Sequence, residues 1–156
     1  MSRFRKWIAG LGITALLWGA VPLWAATPAE EIRKMMGENF QNVQLILSEL
    51  ITANYQSLPQ QIGLIRDHAI DISKKIPPDV TSEMGRKLFT TYAFTLENKS
   101  NNMITVLNEL IKHDQATANA GQLNIDYLRV VAAQHFGEIV TTCVLCHNQF
   151  RRKVVK

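Results

Sequence analysis

Cysteine is nearly absent from this chain of 156 residues, which contains only Cys143 and Cys146. A framework of several disulfides, the usual support of small exported domains, is therefore excluded. Strand signals are missing as well, because there is no Asn-Gly hairpin turn and no sustained alternation of apolar and polar residues. With no repeat of about 20–50 residues and no low-complexity tract, a single domain is the simplest expectation.

Signatures of the common enzyme classes are missing too. The chain has no glycine-rich loop that would cradle a phosphate, no HExxH motif and no serine, histidine and acid in a motivated order. We therefore expect that the protein is not an enzyme. Its composition, 47% hydrophobic and 19% charged, is that of a globular chain rather than a disordered one.

The first 26 residues have the layout of a secretory signal peptide. Basic residues are followed by an apolar stretch that begins at Trp7, then by Pro22 and the small residues Ala25 and Ala26. An uncleaved membrane anchor is the alternative, since the apolar stretch is nearly long enough to span a bilayer. The glycines, Pro22 and the alanine pair favour cleavage over an anchor, and a cut after Ala25 avoids placing the bulky Trp24 at the −3 position. We predict that residues 1–26 are a cleaved signal peptide and that the protein is periplasmic, with no stable membrane anchor.

The formal charge of +4 depends largely on that segment. It holds three of the 17 basic residues, Arg3, Arg5 and Lys6, so 14 basic residues remain against 13 acidic ones, a net charge near +1. A nucleic-acid-binding protein would need a basic surface that persists in the mature chain. We therefore expect no nucleic-acid partner.

Apolar residues recur every three or four positions through the mature chain, which predicts four amphipathic helices. The first begins at Pro28, the second has Ser57 as its N-cap, Thr81 or Ser82 caps the third, and the fourth starts near Asn124. Short turns between long helices predict an all-α, antiparallel four-helix bundle. The predicted inward face of the first helix consists of Ile32, Met36, Phe40, Val43, Leu47 and Leu50.

The sequence Cys143-Val-Leu-Cys146-His147 allows four interpretations. A disulfide suits an exported protein, but within a helix it would be strained, and it leaves His147 unexplained. A thioredoxin-like redox pair requires a strand before the motif. A zinc site requires four ligands, and this motif supplies three. The fourth interpretation is covalent haem attachment, for which Cys-x-x-Cys-His is the signature: two thiols add to two vinyl groups, and the adjacent imidazole reaches the iron. We favour this one.

The motif continues with Phe150 and Arg151, near the end of a helical chain with a signal peptide. This pattern resembles the class II c-type cytochromes, the cytochrome c′ family, and the stretch MGENFQNV at residues 36–43 resembles the first helix of that family more weakly. The resemblance implies that residues 27–156 form a monohaem bundle with one haem c near the C-terminal end of the last helix. Cys143 and Cys146 would carry the thioethers, and His147 would be the proximal iron ligand.

The same resemblance implies that the first helix walls the opposite side of the haem. One branch of the family leaves the sixth iron position open to small gases, and another fills it with methionine. Met36 is the predicted sixth ligand, with Phe40 one turn further on. Arg33 would pair with a haem propionate, although the family often places an arginine four positions before the distal residue rather than three. Arg151 would contact the haem edge.

We therefore predict an exported monohaem c-type cytochrome acting in one-electron transfer. The alternative is a five-coordinate cytochrome c′ that binds nitric oxide or carbon monoxide at an open distal site. The expected partners are redox proteins that the sequence does not name, and a homodimer is left open. The remaining histidines are not expected to bind iron, because His68 and His113 lie in polar stretches that should face solvent and His135 is on the helix that carries the motif.

Overall fold

The computed structural model describes residues 27–115 and 122–150, so the predicted signal peptide and Arg151 lie outside the described residues. Those residues form four helices and no strand, which confirms the all-α prediction. The helices are α1 (Pro28–Ile51), α2 (Leu58–Lys74), α3 (Glu83–Gln115) and α4 (Gln122–Phe150). In this part of the chain, no helix is both long enough and apolar enough to cross a membrane.

The starts of α1 and α3 follow from local side-chain chemistry. Thr27 accepts a hydrogen bond from the backbone N–H of Glu30, whose carboxylate in turn accepts one from the Thr27 N–H. This reciprocal capping box satisfies two amides that the helix itself leaves without partners. At α3, the Ser82 hydroxyl accepts from the Gly85 N–H at 3.1 Å, as one of the two predicted caps requires.

Ser57 is the N-cap residue of α2, as predicted, but it makes no side-chain cap. Its backbone is already helical. The hydroxyl donates to the carboxylate of Glu49 on α1 instead, and Gln61 donates to the same carboxylate at 3.0 Å. Ser57 and Gln61 thereby link the start of α2 to the end of α1.

Two apolar clusters show how the helices are arranged. One joins the start of α1 with the end of α2, the start of α3 and the end of α4, through residues that include Ile32, Ile72, Phe89 and Phe150. The other joins the opposite ends of the same helices around Ile46. The N-terminal end of each helix therefore lies beside the C-terminal end of the next helix in the chain, as in an antiparallel bundle.

The inward face of α1 differs from the predicted one. Ile32 is buried as expected, but Phe40 is 64% exposed and Leu47 is 47% exposed. The buried positions are instead Met35, Asn39 and Ile46. Apolar residues occur on more than one side of α1, and neighbouring residues are about 100° apart around a helix, so the sequence period did not identify which stripe is buried.

The helices pack in chain order, α1 on α2, α2 on α3 and α3 on α4. No contact of comparable extent joins α1 to α4 within residues 27–115 and 122–150. The ring of helices is thus least closed between α1 and α4, and the motif of α4 lies beside this opening.

Candidate cofactor site between α1 and α4

The motif lies within the last two turns of α4, which continues without interruption to Phe150. Cys143, Cys146 and His147 occupy positions i, i+3 and i+4, which share one face of a helix. Both cysteines are half-buried free thiols, whereas the His147 side chain is exposed. The helix therefore presents two thiols and an imidazole in the same direction.

Apolar surroundings keep both thiols protonated at neutral pH. Burial raises the pKa of Cys143 above its ordinary value. Burial also raises the pKa of Cys146, to about 11, with a smaller contribution from the neighbouring Cys143. Reactive cysteines of thioredoxin-like proteins have a lowered pKa because the thiolate is the attacking form. This pair lacks that feature, which argues against the redox-pair interpretation.

A cavity of about 470 Å³ adjoins the motif. This volume is within the range of roughly 300–1,000 Å³ that is common for cofactor pockets. Its walls come from α1, from the connection between α2 and α3, and from α3 and α4. The lining residues are Ala29, Ile32, Arg33, Met36, Pro77, Asp79, Phe89, Cys146, His147 and Phe150.

A narrower apolar recess lies beside the cavity, between α2, α3 and α4. Met36, Phe89, Cys146 and His147 line both spaces. Cys143 lines the recess together with Tyr92 and other residues of α2 and α3. The two cysteines therefore border adjacent spaces, and Met36 of α1 lines both.

The structure brings together five of the seven predicted site residues. Cys143, Cys146 and His147 come from α4, and Arg33 and Met36 come from α1. Met35 does not line either space; it is buried in the apolar cluster at this end of the bundle. The choice of Met36 over its neighbour thus agrees with the placement of the two side chains.

The other two predicted residues are not part of this arrangement. Phe40 lines neither the cavity nor the recess, and its 64% exposure contradicts the prediction that it faces inward. It lies one turn beyond Met36 on the solvent side, because the buried stripe of α1 passes through Asn39. The prediction for Arg151 falls outside the described residues.

The contacts of Phe150 with Phe89 and Tyr92 were not predicted from the sequence. Phe89 packs edge to face on Phe150, with ring centroids 5.3 Å apart and planes at 82°. Tyr92 meets the same Phe150 ring at 6.3 Å. The spacing of Phe89, Ala93 and Leu96 in the sequence was a signal for this face of α3, since all three are buried.

The prediction that His68 faces solvent is wrong. Its side chain is only 18% exposed and lies between α2 and α1. Nδ1 is 2.7 Å from Oδ1 of Asn39, and Nε2 is 3.3 Å from Oε2 of Glu38. Asn39 and Glu38 on α1 hold the imidazole between the two helices. The polar residues next to His68 in the sequence do not indicate these partners.

A zinc site finds no support in the described part of the chain. Within it, no group of three or more histidine, cysteine, aspartate and glutamate side chains is placed to hold a metal ion.

Comparison with known proteins is negative: the chain matches no protein-family model, no curated protein and no solved structure. The likeness to cytochrome c′ therefore depends on the motif and on the layout of the helices.

Proposed function

We propose that this protein is an exported monohaem c-type cytochrome of the class II kind, and that it transfers single electrons. One observation supports this proposal above the others. Cys146 and His147 of α4 border the same cavity as Met36, although Met36 belongs to a different helix. A Cys-x-x-Cys-His motif that packed against the core without a cavity would leave no space for a haem and would not support the proposal.

The residues around the cavity fit a c-type haem. Cys143 and Cys146 would hold it through thioether bonds, and the His147 imidazole would bind its iron. Arg33, which is exposed at the cavity wall, would pair with a propionate. When bound, the haem supplies an iron that takes up and releases one electron.

The contribution of the protein is to fix the ligands and to limit access of water. Phe89 and Phe150 line the cavity with apolar side chains, and Ile32 does so on the wall that α1 forms. Low polarity around a metal disfavours the state with the higher charge, so these walls would raise the reduction potential. A thioether from Met36 would act in the same direction, because methionine ligation raises the potential of c-type cytochromes.

The second candidate function is the binding of nitric oxide or carbon monoxide at an open distal position. It is supported by the size of the cavity and by the loose closure between α1 and α4. The two candidates differ in whether Met36 reaches the iron or only forms part of the wall. Both require covalent haem.

Intact mass measurement tests the covalent haem that both candidates require. The mature protein should exceed the mass of its processed chain by one haem and should retain peroxidase-active haem on a denaturing gel. The variant Cys143→Ala, Cys146→Ala is the control and should lose both signals. A wild-type mass equal to the bare chain less two hydrogens would show a disulfide and refute the proposal.

A further inference from the structure

The contact between His68 and Asn39 is the most buried polar link between α1 and α2. Asn39 is 4% exposed, and the side chain of His68 is 18% exposed. Their side chains meet at 2.7 Å, and the second ring nitrogen of His68 lies 3.3 Å from the Glu38 carboxylate. The Nδ2 atom of Asn39 is also buried and has no hydrogen-bond partner.

This link lies next to the wall that carries Met36. Asn39 is three residues after Met36, so it is about one helical turn away. On the other helix, Ala69 directly follows His68 and lines the same recess as Met36. A change in the distance between α1 and α2 at this point would therefore change the recess itself.

Two other polar links join α1 to α2, one between Glu31 and Lys75 and one at Glu49, but Asn39 is nearer to Met36 along α1 than either. The only extensive packing partner of α1 is α2, and the apolar residues that α1 buries are Ile32, Met35 and Ile46. Apolar contacts are non-directional and tolerate small shifts. A buried hydrogen bond does not, because separating its partners leaves each one desolvated and unpaired. Buried polar residues are known to select one register between packed helices for this reason.

We infer that His68 and Asn39 are positioning residues, which hold α1 in the register that places Met36 on the wall of the cavity opposite His147. This inference rests on the proposed function. His68 touches neither the cavity nor its recess and acts through α1. The Glu38 carboxylate keeps the imidazole oriented by occupying its second nitrogen.

The variant His68→Leu tests this role in the haem-loaded protein. It removes the polar partner of Asn39, so α1 should move relative to α2. Carbon monoxide should associate with ferrous protein about tenfold faster, the lower end of the effect that loss of an orienting residue has on metal affinity or activity. If the wild type is low-spin, the ferric spectrum should also become high-spin. Backbone amides of residues 32–39 should exchange hydrogen about tenfold faster.

His135→Leu is the matched control. Its side chain is 19% exposed and its Nδ1 lies 2.9 Å from Glu138, so it has similar burial and a similar acidic partner. It is on α4, three turns before His147. This variant should lose stability while carbon monoxide association and exchange in residues 32–39 stay at wild-type values.

The double variant Asn39→Leu, His68→Leu distinguishes an effect on the position of α1 from a general loss of stability. Replacing both polar partners with apolar side chains can restore stability. Stability should recover, while fast carbon monoxide association should persist because the hydrogen bond that fixes the register beside Met36 is still absent. If His68→Leu lowers stability but leaves gas association and exchange unchanged, the pair only packs and the inference fails. A chain without haem would instead refute the proposed function, and the exchange measurement would still decide whether the pair holds α1.

Discussion

At the scale of single residues, the structure separates two adjacent methionines. Met35 is 9% exposed and packs with Ile72 and Phe89, whereas Met36 is half-buried and lines the cavity and its recess. The two side chains are about 100° apart around α1. Met35 therefore lies within the apolar cluster, whereas Met36 packs against that cluster and also borders the cavity.

Replacement of Met36 by alanine tests its role as sixth ligand. We expect ferric wild-type protein to be low-spin at neutral pH and ferrous protein to bind carbon monoxide weakly. Met36→Ala should become high-spin and bind carbon monoxide readily, because the thioether that competes with the gas is gone. Absorption spectra of both oxidation states provide the measurement.

Met35→Leu is the appropriate control for that experiment. Leucine has a similar volume, so the cost in unfolding free energy should stay below about 1.5 kcal/mol, and the spectra should not change. Met35→Ala is less suitable, since an alanine at a buried methionine costs about 2–5 kcal/mol. A wild-type protein that is already high-spin would contradict the ligand assignment and favour the gas-binding function.

At the scale of elements, α4 is held by its contact with α3. Glu138 on α4 accepts a hydrogen bond from His135 at 2.9 Å and forms an ion pair with Lys99 of α3 at 3.1 Å. The hydrogen bond from His135, followed by that from Lys99, lowers the pKa of Glu138 below its ordinary value of 4.5. An ion pair thereby links α4, which carries the motif, to α3.

Glu138→Gln should reduce stability in a pH-dependent way. A carboxyl whose pKa is lowered by folding stabilises the protein above its unfolded pKa, and this contribution is lost as the pH falls through the folded pKa. Since the side chains are about one third exposed, we expect a loss of only about 0.5–1 kcal/mol at neutral pH. The difference from wild type should shrink as the pH falls below 4.5.

Urea unfolding at neutral pH and at about pH 3 measures this effect. Glu97→Gln removes one acidic charge from α3 and serves as the control for net charge. If the Glu138 variant differed from wild type by the same amount at both pH values, packing rather than charge would explain the loss.

At the scale of the whole molecule, one end of the bundle is specialised. The start of α1, the end of α2, the start of α3 and the end of α4 meet there around the cavity. The opposite end is a continuous apolar core that contains fully buried residues such as Ile46, Leu107 and Ile139. The two regions meet at the recess, where Cys143 packs against this core and Ala69 and Leu96 of the core line the wall.

N-terminal sequencing of the mature protein tests the predicted export. We expect it to begin at Ala26 or Thr27, because the small residues there suit a signal peptidase. Either start retains Thr27, which caps α1 through its contacts with Glu30. Recovery of a chain that begins at residue 1 or 2 in the membrane fraction would show an uncleaved anchor instead.

The sequence by itself determined the helices and the chemistry of the motif. Helix starts depend on nearby caps such as Thr27 and Ser82, and the spacing of Cys143, Cys146 and His147 sets their common face on any helix. These are local properties, so a single segment contains all the information that they require.

Only the tertiary structure decided which side of α1 is buried, and therefore which residues face the motif. It placed Met36 and Arg33 on the cavity, left Phe40 in solvent and brought His68 against Asn39. The physical reason is that α1 carries apolar side chains on more than one face. The partner helix selects among these faces through contacts between residues far apart in the chain, such as Asn39 with His68, which no periodicity within one segment encodes.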